Sequence, residues 1–523
     1  MQSSNNSYDA TSKRGWFTRF LDGVEWLGNL LPHPITLFAM FCLFIIIASA
    51  IAAYFGVSAI DPRDGETVIE AVSLMTAEGV QKIVTNLVTN FTGFTPLGTV
   101  LVALLGVGVA ERSGLISAAM RGLVMKAPPK LITVTVVFAG VISNTASELG
   151  YVVLVPLAAM IFYGLGRHPL AGLAAAFAGV SAGYSANLLI GTVDPLLSGI
   201  TAEAARIIDP DYTVGAEANW YFMMVSTFLI AIMGALITDK IVEPKLGKYN
   251  DDEASIDLSD QSSMEPLNRQ EKRGLIYAGL AVLALGGLLA LTVVPDWGIL
   301  RHPETGDVKG SPFLKGVVVY IFFFFAIPGF VYGRTVNTMK NDRDVIDAMS
   351  HSMGTMGMYI VLVFFAAQFV NFFKWTNFGT IFAINGAEFL TNMGLTGPLL
   401  FVFFIMICGF VNLMLGSASA QWAITAPIFV PMLMLVGYAP EVIQAAYRIG
   451  DSVTNVITPM MSYFGLILAV AARYKKDLGI GTLIAMMLPY SIIFFIGWTI
   501  LFFIWVFALG MPVGPEAPTY YSS

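Results

Sequence analysis

Two stretches of this chain share a pattern that few folds accommodate. The segments GVISNTASELGYVVLVPL (140–157) and NLMLGSASAQWAITAPIFVPM (412–432) each set Ser, Thr, Asn and Gly between two apolar arms, with Pro in the second arm. Each is followed by a second interrupted apolar segment, GYSANLLIGTVDPLL (183–197) and RIGDSVTNVITPMM (448–461). A broken apolar segment cannot satisfy its backbone by helix hydrogen bonds alone. At membrane depth it is tolerated only where protein or a water-filled cavity surrounds it. Paired broken segments at matching places in two halves point to the substrate site of a secondary transporter.

The rest of the chain agrees with a membrane setting. Of 523 residues, 56% are hydrophobic and 12% charged, whereas a soluble domain carries about 25% charged residues. Cys42 and Cys408 each lie in an apolar run, so neither a disulfide framework nor a metal spacing such as CxxC follows. His33, His168, His302 and His351 are scattered, and no nucleophile–His set is visible. An enzyme is therefore not expected, nor is a cofactor, and no nucleic-acid partner is indicated. The expected partners are the lipid bilayer and a small ligand.

Residues 1–33 are polar and then amphipathic, and 16–33 is read as an interfacial helix on a cytoplasmic N-terminus. The first apolar run, 34–56, has the length of a span rather than of a signal peptide. Complete spans are expected near 34–56, 95–111, 169–200, 219–239, 274–294, 316–334, 353–373, 441–471 and 481–510. The runs inside 131–166 are too short to cross and are read as a re-entrant hairpin, as is 398–438.

Basic residues at span ends test this map. They fall in five groups: Lys13, Arg14, Arg19; Arg112, Arg121, Lys126, Lys130; Lys240, Lys245, Lys248; Arg334, Lys340, Arg343; and Arg473, Lys475, Lys476. All lie on one side only if neither hairpin crosses. The expected fold is thus an all-α polytopic membrane protein with nine transmembrane helices, two re-entrant hairpins and broken helices. It forms inverted-topology repeats, 34–241 and 274–523, joined by an acidic cytoplasmic linker at 242–273.

The tips carry the chemistry. Ser143, Asn144 and Thr145 mark one tip, and Gly416, Ser417 and Ser419 the other. Helix N-termini with hydroxyls and amides suit a carboxylate or, through oxygens, a sodium ion near Asn144, Asp194 and Asn455. The same residue types also serve plain helix packing in membranes. Ionisable residues at membrane depth are functional by default, which singles out Glu148, Asp194, Arg448 and Asp451. Arg448 and Asp451 are three apart, hence on one helix face, where they form either a structural pair or an anion site beside a coupling carboxylate. On that basis Asp451 is expected to hold its charge and Asp194 to carry the coupling proton. Asn187 and Asn455 are grouped with these two carboxylates as ion-coupling candidates, and Glu148 is left without a role. Trp422 stacks on an aromatic ligand or anchors at the interface.

The segments SNTASELGYVVLVPL, RHPLAGLAAAFAGVS, GSASAQWAITAPIFVPMLML and GYAPEVIQAAYRIGDSVTN resemble the p-aminobenzoyl-glutamate transporter (AbgT) family, nearest its MtrF-like branch. The likeness runs from about residue 26 to 515. It implies a homodimer in the bacterial inner membrane with a cytoplasm-facing basin. It also implies site roles for Asp194, Trp422, Pro440, Arg448 and Asp451. The expected function is an ion-coupled secondary transporter, proton- or sodium-driven, of p-aminobenzoyl-glutamate-type folate catabolites and/or an exporter of sulfonamide antimetabolites. The alternative is a passive channel for small organic anions.

Overall fold

A computed structural model describes residues 32–145, 150–255, 266–308, 310–476 and 478–522. Glu148 and all but the last two positions of the expected interfacial helix lie outside these residues. Eight helices are long and apolar enough to cross a bilayer, and one of them, Ala418–Val436, is an arm of the second hairpin. Broken helices make two further crossings, so nine spans stand among the described residues.

Span one is Pro34–Tyr54, and span two is Thr95–Ser113. Span three is broken: Pro169–Phe177 runs into a π-helical turn, Ala178–Ala182, then the chain unwinds over 183–192 and resumes as Val193–Ala205. Span four starts at Trp220 and continues to Leu246. Span five, Arg269–Val293, starts on a capping box made by Asn268 and Glu271. Spans six and seven are Val317–Val336 and Gly357–Trp375. Span eight breaks after Pro440–Thr454 and resumes at Phe464–Tyr474. Span nine runs from Ile480 to Ala508. Pro459 lies in the second break, where it bars a continuous helix.

Hairpin one pairs Ile132–Ser143 with Gly150–Gly164. At 1.5 Å per residue its first arm is about 18 Å long, well short of a bilayer core of about 30 Å. Hairpin two pairs Leu400–Leu415 with Ala418–Val436, and Gly416 makes the turn at a left-handed φ of 51°. Its second arm starts earlier than the apolar run at 426–438 indicates, because small residues allow helix from Ala418 onward.

Four further helices lie between the expected spans. Ala77–Thr92 leads into span two, Leu115–Met125 follows it, Asp342–Thr355 precedes span seven, and Phe378–Asn392 follows span seven. A two-stranded hairpin, Ser58–Ile60 with Val68–Glu70, follows span one. Its Arg63 grips Asp61 and donates to the Ile208 carbonyl at 3.0 Å, which ties it to the end of span three. The C-terminal segment lies across the same region: Phe222 N–H donates to Val513 O, and Tyr521 N–H donates to Gly437 O.

One large apolar core joins both hairpins, both broken spans and spans four and nine. Span two packs against span six, Asp342–Thr355 and the second half of span three. Span five leaves Ile276, Leu280, Leu283, Leu288 and Leu291 exposed, as a lipid-facing helix does.

Glycines let each broken span touch its hairpin backbone to backbone. A Cβ on Gly179 would run into the Val137 backbone, and one on Gly450 would stand 2.5 Å from Ile405 O. Each repeat thus has a glycine of its broken span against the first arm of its own hairpin. Gly179→Val and Gly450→Val are each expected to destabilise the fold by about 1–3 kcal/mol through overpacking. Gly286→Val, where open space surrounds the Cβ, should change little. Unfolding in detergent measures the difference.

Candidate functional site

Each hairpin tip ends at the break of its own repeat. Asn144 donates from Nδ2 to Val180 O at 2.9 Å, beside break one. Asn412 donates from Nδ2 to Asp451 O at 2.7 Å and to Asn455 Oδ1 at 2.8 Å, at break two. Asn455 follows Asn412 by 43 residues, and Asn187 follows Asn144 at the same interval. This repeated spacing was available in the sequence and marks Asn412, which the sequence reading did not select. Thr145 donates to Asn187 Oδ1 at 3.4 Å.

Between the tips lies a cavity of about 860 Å³. Asn144, Gly416, Ser417, Ser419 and Asn455 line it, together with Tyr184 and Thr192 from break one. Two tips and two breaks, one of each per repeat, thus share one space. The wall also includes Glu111 and Arg112 at the end of span two, and His351 and Ser352 from the helix before span seven. Tyr151, Tyr184, Tyr359 and Tyr463 supply aromatic surface that sequence reasoning passed over. Ordinary Tyr residues carry no spacing signal that marks them in advance.

Several expected site residues stand behind this wall. Ser143 is buried and donates to Gly140 O, and Thr145 is buried with Asn187. Pro440 opens span eight at its far end, away from the cavity lining. Trp422 is fully buried: its ring stacks on Tyr447 at 4.1 Å, and its indole N–H donates to Thr201 Oγ1 at 2.8 Å. It reaches neither a membrane interface nor the cavity in this structure.

The charged residues are arranged differently from the three-apart expectation. Arg448 is fully buried and pairs with Asp194, Nη1 to Oδ1 at 2.6 Å. Its Nη2 donates to Ser185 O at 2.8 Å, so one guanidinium holds both a carboxylate and an unwound carbonyl of break one. Asp194 also accepts from Gly191 N–H at 2.7 Å and sits in the first turn of Val193–Ala205, where a helix favours negative charge. Asp194 is therefore no solvated span end. Asp451 has no such cation among the described residues. Its Oδ1 accepts a 3.4 Å bond from Tyr447, and its Oδ2 is buried without a partner among the described residues. Sequence spacing set Arg448 beside Asp451; the structure pairs Arg448 with Asp194 instead and leaves Asp451 as the carboxylate without a cationic partner among the described residues.

The partner of Arg448 lies in the other repeat, and neighbouring contacts follow suit. Ser185 N–H donates to Ser452 Oγ at 3.1 Å, and Asn455 Nδ2 to Ser181 O at 3.3 Å. Residues of span eight thus satisfy the unwound backbone of span three. Among the described residues, no group of three or more His, Cys, Asp or Glu is placed to hold a metal.

Comparison with known proteins locates this arrangement. The family described as "AbgT putative transporter family" matches residues 19–521. The p-aminobenzoyl-glutamate transport protein of Escherichia coli (strain K12) is 40% identical over 494 residues, 94% of this chain and 95% of that protein. The structure of Neisseria gonorrhoeae MtrF, described as illuminating a class of antimetabolite efflux pumps, is 63% identical and superposes with a TM-score of 0.90. It covers 96% of this chain and 100% of its own. The Alcanivorax borkumensis YdaH transporter, described as having an unusual topology, is 46% identical with a TM-score of 0.87. It covers 92% of this chain and 100% of its own.

Removing one partner of a buried ion pair strands the other charge. Arg448→Met is expected to cost about 3–5 kcal/mol of stability. Arg448→Met combined with Asp194→Leu should cost less than the sum of the two single changes. A double-mutant cycle of unfolding free energies checks this, and strict additivity would remove the pair from the argument.

Proposed function

The chain belongs to the AbgT family, and from that premise we propose that it is an ion-coupled secondary transporter of compounds carrying a p-aminobenzoyl or p-aminobenzenesulfonyl ring. The observation that carries this reading is the meeting of both hairpin tips and both breaks at one cavity. The cavity is roomy enough for a folded-over aromatic amino-acid conjugate, since ligand pockets run to about 300–1,000 Å³. At the tips its polar lining is of neutral groups, Asn144, Ser417, Ser419 and Asn455, which suit carboxylate and sulfonyl oxygens without locking the ligand in place. Arg448 supports the site by holding break one in shape.

The coupling ion, a proton or sodium, is assigned to Asp451 and the Asn412–Asn455 pair beside it. Asn412 Oδ1 and Asp451 Oδ2 are both buried without partners among the described residues, and both are oxygens. Neutralising Asp451 changes the charge beside tip two, which links ion occupancy to the state of the hairpin. The passive-channel reading has less support. Beyond the tips the interior is filled by Trp422, Tyr447 and Arg448, each fully buried, so the cavity is closed at one end. By the placement of basic residues, the end bearing Glu111, Arg112 and His351 faces the cytoplasm, with the N-terminus on the same side. The setting is the bacterial inner membrane, and the assembly is a homodimer.

Flux in proteoliposomes tests this. Uptake of labelled p-aminobenzoyl-glutamate and of a sulfonamide should saturate and should respond to an imposed proton or sodium gradient. Linear flux that ignores both gradients would restore the channel. Asp451→Asn should abolish accumulation against a gradient while leaving ligand binding within a few-fold of wild type. Wild-type accumulation by Asp451→Asn would sink the coupling assignment.

A further inference from the structure

The cavity wall holds one feature that neither the charged groups nor the tips explain. Tyr151 and Tyr463 lie stacked, with ring centroids 4.7 Å apart and planes within 2°. Tyr151 comes from the π-helical turn Gly150–Leu154 in the second arm of hairpin one, and Tyr463 from the last position of break two. The pair therefore joins the two repeats across the cavity, beside both tips. Local π-helical turns inside helices recur at functional sites.

The two rings are not equivalent. Tyr151 is buried, and Phe177 meets it edge-on at 6.4 Å on another side. Tyr463 is only half-buried, with Tyr151 covering one side of its ring. One ring is thus a fixed backing, and the other presents aromatic surface to the cavity.

We propose that Tyr463, backed by Tyr151, is the aromatic subsite, on which the para-amino ring of the ligand stacks as a third layer. This rests on the substrate reading given above. An offset stack gains from ring quadrupoles as well as from buried area. The ring is the part that aminobenzoyl and sulfonamide ligands have in common, so one subsite serves both, while the neutral donors at the tips meet their differing polar ends. Trp422 is poorly placed for this task. Its ring is already stacked on Tyr447 and its N–H is already committed to Thr201, so a ligand would have to displace a buried neighbour. Its role is to position span eight behind the site.

Equilibrium binding to the purified full chain in detergent tests the proposal, with p-aminobenzoyl-glutamate and sulfanilamide as probes. Tyr463→Ala should weaken both ligands by about tenfold, from lost stacking and ring burial. Tyr463→Leu, which keeps bulk without a ring, should lose affinity to a similar degree and covers the case in which the alanine variant fails to fold. Tyr463→Phe should bind within about twofold of wild type, since the ring face rather than the hydroxyl does the work. Wild-type affinity in a folded Tyr463→Ala or Tyr463→Leu protein would overturn the subsite. So would a Tyr463→Phe protein as impaired as the leucine variant. If the unaltered protein binds neither probe, the substrate reading falls and the subsite falls with it. If the unaltered protein binds both and only the Tyr463 variants behave as wild type, the subsite alone is wrong.

Discussion

A backbone that unwinds at membrane depth exposes N–H and C=O groups that neither lipid nor helix can satisfy, and here the missing partners come from elsewhere in the chain. Arg448 and Asn455 of span eight donate to carbonyls at Ser185 and Ser181 of span three, and Ser452 accepts the Ser185 N–H. Asn144 and Asn412 do the same work from the hairpin tips. A buried unsatisfied polar group costs roughly as much as a hydrogen bond is worth, and more in an apolar medium. The two repeats are consequently not independent folding units that happen to touch. Break one is held in shape only while span eight lies against it.

This interlock explains where the charges sit. Arg448 is fully buried, and such a charge is tolerated only when paired and hydrogen-bonded. Asp194 supplies the pair, and Ser185 O a second acceptor. The remaining carboxylate, Asp451, has among the described residues only a long bond from Tyr447. The site therefore separates a buried ion pair, which stands behind the wall, from a carboxylate next to tip two that has no cation among the described residues. Around the tips the cavity lining is left to neutral side chains.

Much of this was legible in the sequence because bilayer geometry is strict. Apolar run lengths distinguished spans from hairpin arms, and the single-sided basic residues agreed with hairpins that do not cross. The hairpins at 131–166 and 398–438 are present as helix pairs, and the breaks fall within the two interrupted segments. What was hidden has physical causes. Helices such as Ala77–Thr92 and Asp342–Thr355 mix polar and apolar residues and lack the apolar length of a span. Asn90 of the first is held by Gln368 in span seven, a contact that no local pattern announces. The helix rule of three and four correctly put Arg448 and Asp451 near one another in sequence space, yet the guanidinium turned to Asp194 in the other repeat, where the unwound backbone needed it. Trp422 was read as a ligand ring or an interfacial anchor, but stacking on Tyr447 placed it in the core.

The pairing of Arg448 with Asp194 has an electrical consequence. The pair carries no net charge, so any rearrangement that shifts it relative to the bilayer does no work against the membrane potential. A bare charge crossing the full field would gain or lose about 2.3 kcal/mol per 100 mV. Among these three residues, Asp451 is the one whose charge no cation offsets among the described residues. A rearrangement that moved all three together would feel the membrane potential through that one carboxylate, and the guanidinium at its centre is electrically silent.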